Sequence, residues 1–259
     1  MSKVGAHKCA PLRCFGAVLL SAVFLVAPYG RSRAAAVPPI VERTAAAYAA
    51  EVRGIVGMQR HFITRIKGGP ISHTEESDSG FLMHDGSFVR IKYCRVTDDG
   101  RAFDAGQLER RDSQTNRDWA DGRIFFKEPY DPRYMADYDF EPPQACAGCA
   151  AGTVAVNFSS GIRDAQHGSG TMWIDAVNAR VARLTYVPNA LPPHATSGSV
   201  TEFDGPGLPD LWYVTRIESA YRGHIFILTG SGTFIGTFDH FRRFSALTEA
   251  EAALQSGTI

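Results

Sequence analysis

GTMWIDAVNARVARLTYV, residues 170–187, alternates as a half-buried strand does, turns, and alternates again. Thr171 to Asp175 runs into a turn at Asp175 to Ala179. Arg180 to Val187 returns with Val181, Arg183 and Thr185 on one side and Ala182, Leu184 and Tyr186 on the other. This is an antiparallel hairpin. Two further strands are read over 211–217 and 224–229, the second reaching Gly230-Ser231-Gly232, and a last strand closes on Phe238 to Phe244. A sheet this long, apolar on alternate positions, must cover one face, and the chain offers few helical segments for the task.

Upstream, Lys3, Lys8 and Arg13 precede an apolar run from Phe15 to Ala27, and Ala34-Ala35-Ala36 supplies small residues for cleavage, the three-part pattern of a secretory signal peptide. The run is 13 residues long, short of the roughly 20 that a membrane-spanning helix needs. The expected organisation is a leader over 1–36 and a single domain over 37–259, periplasmic or secreted. Sequencing the N-terminus of the native protein checks this. The mature chain should begin near Val37, and a start at Met1 in the membrane fraction would overturn the expectation.

The whole chain balances 27 basic against 27 acidic residues. The leader removes Lys3, Lys8, Arg13, Arg31 and Arg33, which leaves 22 basic against 27 acidic, a net charge of −5. No basic stretch remains that would mark a nucleic-acid partner. Beyond the leader the cysteines are Cys94, Cys146 and Cys149. The Cys146-Ala147-Gly148-Cys149 spacing admits a redox pair, a zinc half-site or a local disulfide. A redox pair needs a helix start, whereas Pro142-Pro143 precede it and a strand follows; zinc needs a second ligand pair. The expectation is a Cys146–Cys149 disulfide, with Cys94 buried on its strand.

After Pro38-Pro39, residues 40–53 read as an alanine-rich helix whose Val41, Ala45, Tyr48 and Val52 share one face. Gly54 and Gly57 lead into a long strand with Val56, Met58, Phe62 and Ile66 on one face and Gln59, His61, Arg65 and Lys67 on the other. Asp85-Gly86 marks a hairpin. Asp104 caps a short helix that includes Leu108, with too few apolar residues for a core helix. Residues 188–198 read as a surface loop, and Thr248 to Leu254 as a short terminal helix.

The eight histidines show no close pair of the kind a zinc hydrolase carries on one helix. Gly168-Ser169-Gly170 and Gly230-Ser231-Gly232 lack the strand-to-helix context of a serine nucleophile. Glu75-Glu76-Ser77-Asp78 lacks the glycine and frame of a calcium loop. Neither a catalytic residue, a metal site nor a cofactor is assigned.

The order of elements resembles the outer-membrane lipoprotein carrier (LolA-like) superfamily. The features that carry this are the amphipathic helix, the Gly170 to Asp175 hairpin strand, Asp99-Gly100 before a helix, the tyrosine-rich Tyr134 to Phe140 and the aromatic, basic Phe238 to Phe244. The resemblance covers about residues 40–245. It implies an α+β fold, in which a strongly curved antiparallel sheet, an incomplete β-barrel, has an N-terminal amphipathic helix and short helices covering its concave face. It further implies an apolar cavity for a lipid or acylated ligand. On this reading Val56, Met58, Phe62, Ile66, Met172 and Ile174 bind the ligand. The expected function is binding, as carrier or sensor. The alternative is a regulatory protein that docks a partner, such as a membrane-associated protein, on the same sheet.

Overall fold

Antiparallel hairpins build one sheet of twelve strands, and a computed structural model describes it over residues 36–122, 126–191, 194–225 and 228–259. Contacts divide the chain into Met1–Arg33 and Ala34–Ile259, and the sheet and its helices belong to the second unit. The leader read over 1–36 lies, up to residue 35, outside the described residues. The elements run α1 (Pro39–Glu51), β1 (Ile55–Gly68), β2 (Ile71–His84), β3 (Ser87–Asp98), β4 (Arg101–Ala102) and α2 (Ala105–Ala120). They continue with β5 (Asp139–Phe140), β6 (Gln144–Ala145), β7 (Thr153–Ser159), β8 (Gly168–Asp175), β9 (Arg180–Pro188), β10 (Ala195–Leu208), β11 (Leu211–Ile225), β12 (Leu228–Phe244) and α3 (Leu247–Ser256). The order across the sheet is β4-β3-β2-β1-β12-β11-β10-β9-β8-β7-β5, with β6 on β7. The first long strand therefore zips onto the last, and the sheet stays open between β4 and β5. It is a curved, unclosed α+β barrel. No helix among the described residues is long and apolar enough to cross a membrane.

Alternation along β2 divides the packing. Phe81 and Met83 enter the main core with Met58, Met172 and Leu184, whereas Leu82 joins Phe244, Ala250, Leu254 and Ile259 on the opposite, outer face. Helix α1 lies on the inner face. Pro39 opens it, a position where a missing N–H costs nothing, and the apolar stripe read from the sequence, Val41, Ala45, Tyr48 and Val52, is buried. Its C-terminal end is fastened by Arg243, which donates to the carbonyls of Glu51 and Arg53 at 2.7 Å each, a favourable place for a cation. Helix α3 takes the outer face, where Gly80 makes room: a Cβ there would lie 2.5 Å from Leu254 Cδ1.

Helix α2 is longer than the short helix read from the sequence, and it is held by polar groups. Asp104 and Gln107 exchange capping hydrogen bonds of 2.8 Å. One turn further on, Asp112 accepts from the Tyr93 N–H at 2.7 Å, and Asn116 both accepts from the Ile91 N–H at 3.0 Å and donates to its carbonyl at 2.9 Å. These side chains satisfy the free edge of β3 as a neighbouring strand would.

Four local expectations change. The strand read over 224–229 is the meeting point of two long strands, His224 pairing with Thr229 and Ile225 with Leu228. Residues 188–198 hold a shorter loop, since β10 already begins at Ala195. In the 170–187 hairpin a register shift between Trp173 and Ile174 inserts Ala182, so Val181 faces the core with Leu184 and Tyr186 instead of sharing a side with Arg183. Cys94 is exposed rather than buried, because it is the extra residue at the β2–β3 bulge, where Asp78 pairs with Arg95 and Ser79 with Tyr93.

Candidate functional site: an aromatic cavity with buried carboxyls

A cavity of about 530 Å³ opens between the inner face, α1 and α2, within the range of small-molecule sites. Tyr48 of α1, Phe81 and Met83 of β2, Phe88 of β3, Trp119 of α2 and Tyr213 of β11 line it, with Phe126 and Glu128 from the segment after α2. Trp119 stacks on Phe88 at 4.8 Å between ring centroids and meets Phe81 edge-on at 5.3 Å. Helix α2, polar along most of its length, thus ends in an aromatic cap over the cavity. On the other side Phe126 stacks on Tyr186.

Behind this lining stands a set of buried carboxyls. Glu202 of β10 is 4% exposed; one of its oxygens accepts from the Tyr186 hydroxyl at 3.2 Å and the other, Oε2, has no partner. Asp204, two residues on, accepts from the Tyr130 hydroxyl at 3.4 Å and leaves Oδ1 unpartnered. Burial first, then the neighbouring Asp204, pushes the Glu202 carboxyl up to about 8. Burial and the charge of Glu128 likewise push Asp204 up to about 8. Glu128 is itself raised, by burial and then by Glu202. Near neutral pH these groups hold protons, since charging them together in a dry site is costly.

The cation acting on Glu128 is Arg133, and Arg133 is already engaged. It forms a two-pronged pair with buried Asp131 and donates to the Gly86 carbonyl at 3.0 Å and to the Ser87 hydroxyl. A second cation is interior: Arg60, 5% exposed, has its guanidinium carbon 4.1 Å from the Phe62 ring centroid and 5.0 Å from that of Phe81. Its Nε has no hydrogen-bond partner, and burial lowers the group to about 10.

No family model matches the chain, and no curated protein sequence matches it. Among solved structures, an outer membrane lipoprotein-sorting protein domain from Vibrio parahaemolyticus is 11% identical with a TM-score of 0.40, over 85% of this chain and 96% of that one. A LolA superfamily protein from Nitrosomonas europaea is 8% identical with a TM-score of 0.34, over 85% and 97%. The Pseudomonas aeruginosa MucA/MucB complex structure gives 11% identity and a TM-score of 0.23, over 80% and 99%. At these identities the likeness is one of architecture, and the site rests on its own geometry.

Of the six residues read as ligand-binding, Val56, Met58, Met172 and Ile174 come together in the main core, each at 0% exposure. Phe62 is half-buried in an aromatic row with Phe234 and Phe238, and Ile66 is 46% exposed further along β1. The cavity is lined by other residues, from neighbouring elements. Cys146 and Cys149 are joined, with Cα atoms 5.5 Å apart. His73 meets Asp98 at 3.1 Å and Asp99 at 3.5 Å on a half-exposed hairpin end, and His84 pairs with Asp85. The acidic run at 75–78 is taken up by arginines, Glu75 by Arg111 and Asp78 by Arg95, at 2.6 Å each. Gly170 serves packing: a Cβ there would fall 1.9 Å from the Thr185 carbonyl oxygen.

Sequence reading missed the polar half of the site. Arg60 carried a signal, standing between Met58 and Phe62 on the apolar face of β1. Glu202 and Asp204 carried none, because alternate acidic residues ordinarily mark a solvent face.

Proposed function

We propose that this is an exported binding protein that holds an amphiphile in the cavity between the curved sheet and its helices, as carrier or sensor. The observation that carries the reading is the aromatic cavity of about 530 Å³, walled by α1, α2 and the inner face. Its lining supplies apolar area for a hydrocarbon chain, while Glu128 supplies a polar contact for a head group. Val56, Met58, Met172 and Ile174 support that lining as a packed floor, and Phe62 and Ile66 extend it along β1. The chemistry proposed is binding rather than catalysis.

The test is saturable binding of a neutral apolar fluorophore, N-phenyl-1-naphthylamine, combined with mass spectrometry of lipids extracted from protein purified out of its own cell envelope. One displaceable probe per chain and a stoichiometric lipid are expected. Absence of both would overturn the reading and leave docking of a partner protein on the same sheet in its place.

A further inference from the structure

Among the described residues, the polar side of the cavity carries the carboxyl of Glu128 beside two arginines, Arg133 and Arg90. Glu128 lines the cavity half-buried; its carboxyl takes a hydrogen bond from its own backbone N–H, and no side chain among the described residues is hydrogen-bonded to it. Arg133, which shares the lining, is occupied by Asp131, Ser87 and Gly86, and Arg90 is an exposed rim residue. Glu202 stands behind Glu128, near enough for the two charges to act on each other, and its Oε2 is buried without a partner. Tyr48, Phe126 and Tyr213 line the same cavity, and Tyr48 and Tyr213 lie near enough to Glu128 for its charge to act on their hydroxyls. Unpartnered buried carboxyl oxygens are costly, and aromatic faces beside a carboxylate attract an organic cation.

We propose that the cavity receives the ammonium end of an amphiphile, with Glu128 as its counter-ion and the rings of Tyr48, Phe126 and Tyr213 as its cage. An ammonium arriving there favours the charged carboxylate over the acid. A metal ion is a poorer match, since hard cations call for several oxygens arranged around them and the lining here is mostly carbon. An anionic head group gains no such pairing, since a charge of that sign opposes ionisation of Glu128.

This inference rests on the amphiphile reading, and the experiment separates the two. Dodecyltrimethylammonium, dodecanol and dodecyl sulfate, each below its micelle concentration, compete for N-phenyl-1-naphthylamine near neutral pH. The ammonium should compete roughly tenfold better than the alcohol, and the sulfate worst. In Glu128→Gln the ammonium-to-alcohol ratio should fall to about one, whatever the absolute affinities. Thermal melting checks that the variant folds, and the wild-type series decides the matter if it does not. Equal competition by all three compounds would remove the ammonium site and leave the amphiphile reading standing. Tightest binding of the sulfate would overturn the ammonium site in favour of a guanidinium anchor, Arg60 or Arg133. Failure of every compound, probe included, would overturn both.

Discussion

Glu202→Gln should stabilise this protein at alkaline pH and flatten a stability profile that falls as pH rises. The Glu202 carboxyl, ordinarily near 4.5, is held up to about 8, and Asp204, ordinarily near 3.8, also up to about 8. Both therefore bind a proton more tightly in the folded chain than in the unfolded one. Between these limits the folded state carries the extra protons, so unfolding free energy declines as pH rises through the window from about 4.5 to 8 and levels off beyond it. For Glu202 the full effect is on the order of 5 kcal/mol above pH 8. Below the window the loss of depressed, half-buried carboxylates such as Asp78 and Asp164, each held by hydrogen bonds that outweigh its burial, takes stability away again. The groups facing Glu202 and Asp204 are Glu128, Tyr130 and Tyr186, with Tyr213 near all three carboxyls. Calorimetric melting at several pH values between 5 and 9 reads the result. A wild-type profile that is flat or rises with pH, or a variant profile parallel to it, would refute the burial of these carboxyls as acids.

That the inner face carries carboxyls at all was hidden in the sequence for a physical reason. Strand β10 contains Gly198, Gly205, Pro206 and Gly207, a composition that weakens any strand assignment. Its partners decide instead: β11 pairs along nearly its whole length, and β9 pairs with Val200 to Phe203. The β2–β3 hairpin was legible because Asp85-Gly86 adopts positive φ at both residues, which the twist of a tight hairpin demands and these residue types tolerate; Asp99-Gly100, read only as preceding a helix, turns in the same way. Helix α1 was legible because its packing is apolar and periodic. Helix α2 was only half legible: its grip on β3 runs through Asp112 and Asn116, which on a helical wheel look like solvent-facing residues. The site shared that fate. Its lining comes from seven segments between residues 48 and 251, each contributing one to five residues, and no local pattern announces such an assembly.

A matched pair of methionines tests whether the cavity or the core beneath it does the binding. Met58 and Met83 both point to the inner face, both are at 0% exposure, and they sit on neighbouring strands, where Val56 pairs with Met83 and Met58 with Phe81. Only Met83 lines the cavity. Met58→Trp must push an indole into a volume already filled by packed side chains, and such overpacking costs about 1 to 3 kcal/mol or more. Met83→Trp can extend its indole into the cavity that Met83 lines, so its cost should be smaller than that of Met58→Trp, while the indole occupies the ligand's place. The expected result is a double dissociation. Met58→Trp melts well below the wild type and still binds N-phenyl-1-naphthylamine, whereas Met83→Trp melts near the wild type and no longer binds it. Equal destabilisation of the two variants would mean that the space beside Met83 closes up in solution. Loss of probe in Met58→Trp, with its fold intact, would instead extend the binding site down to Val56, Met58, Met172 and Ile174, as the alternation of the strands implies.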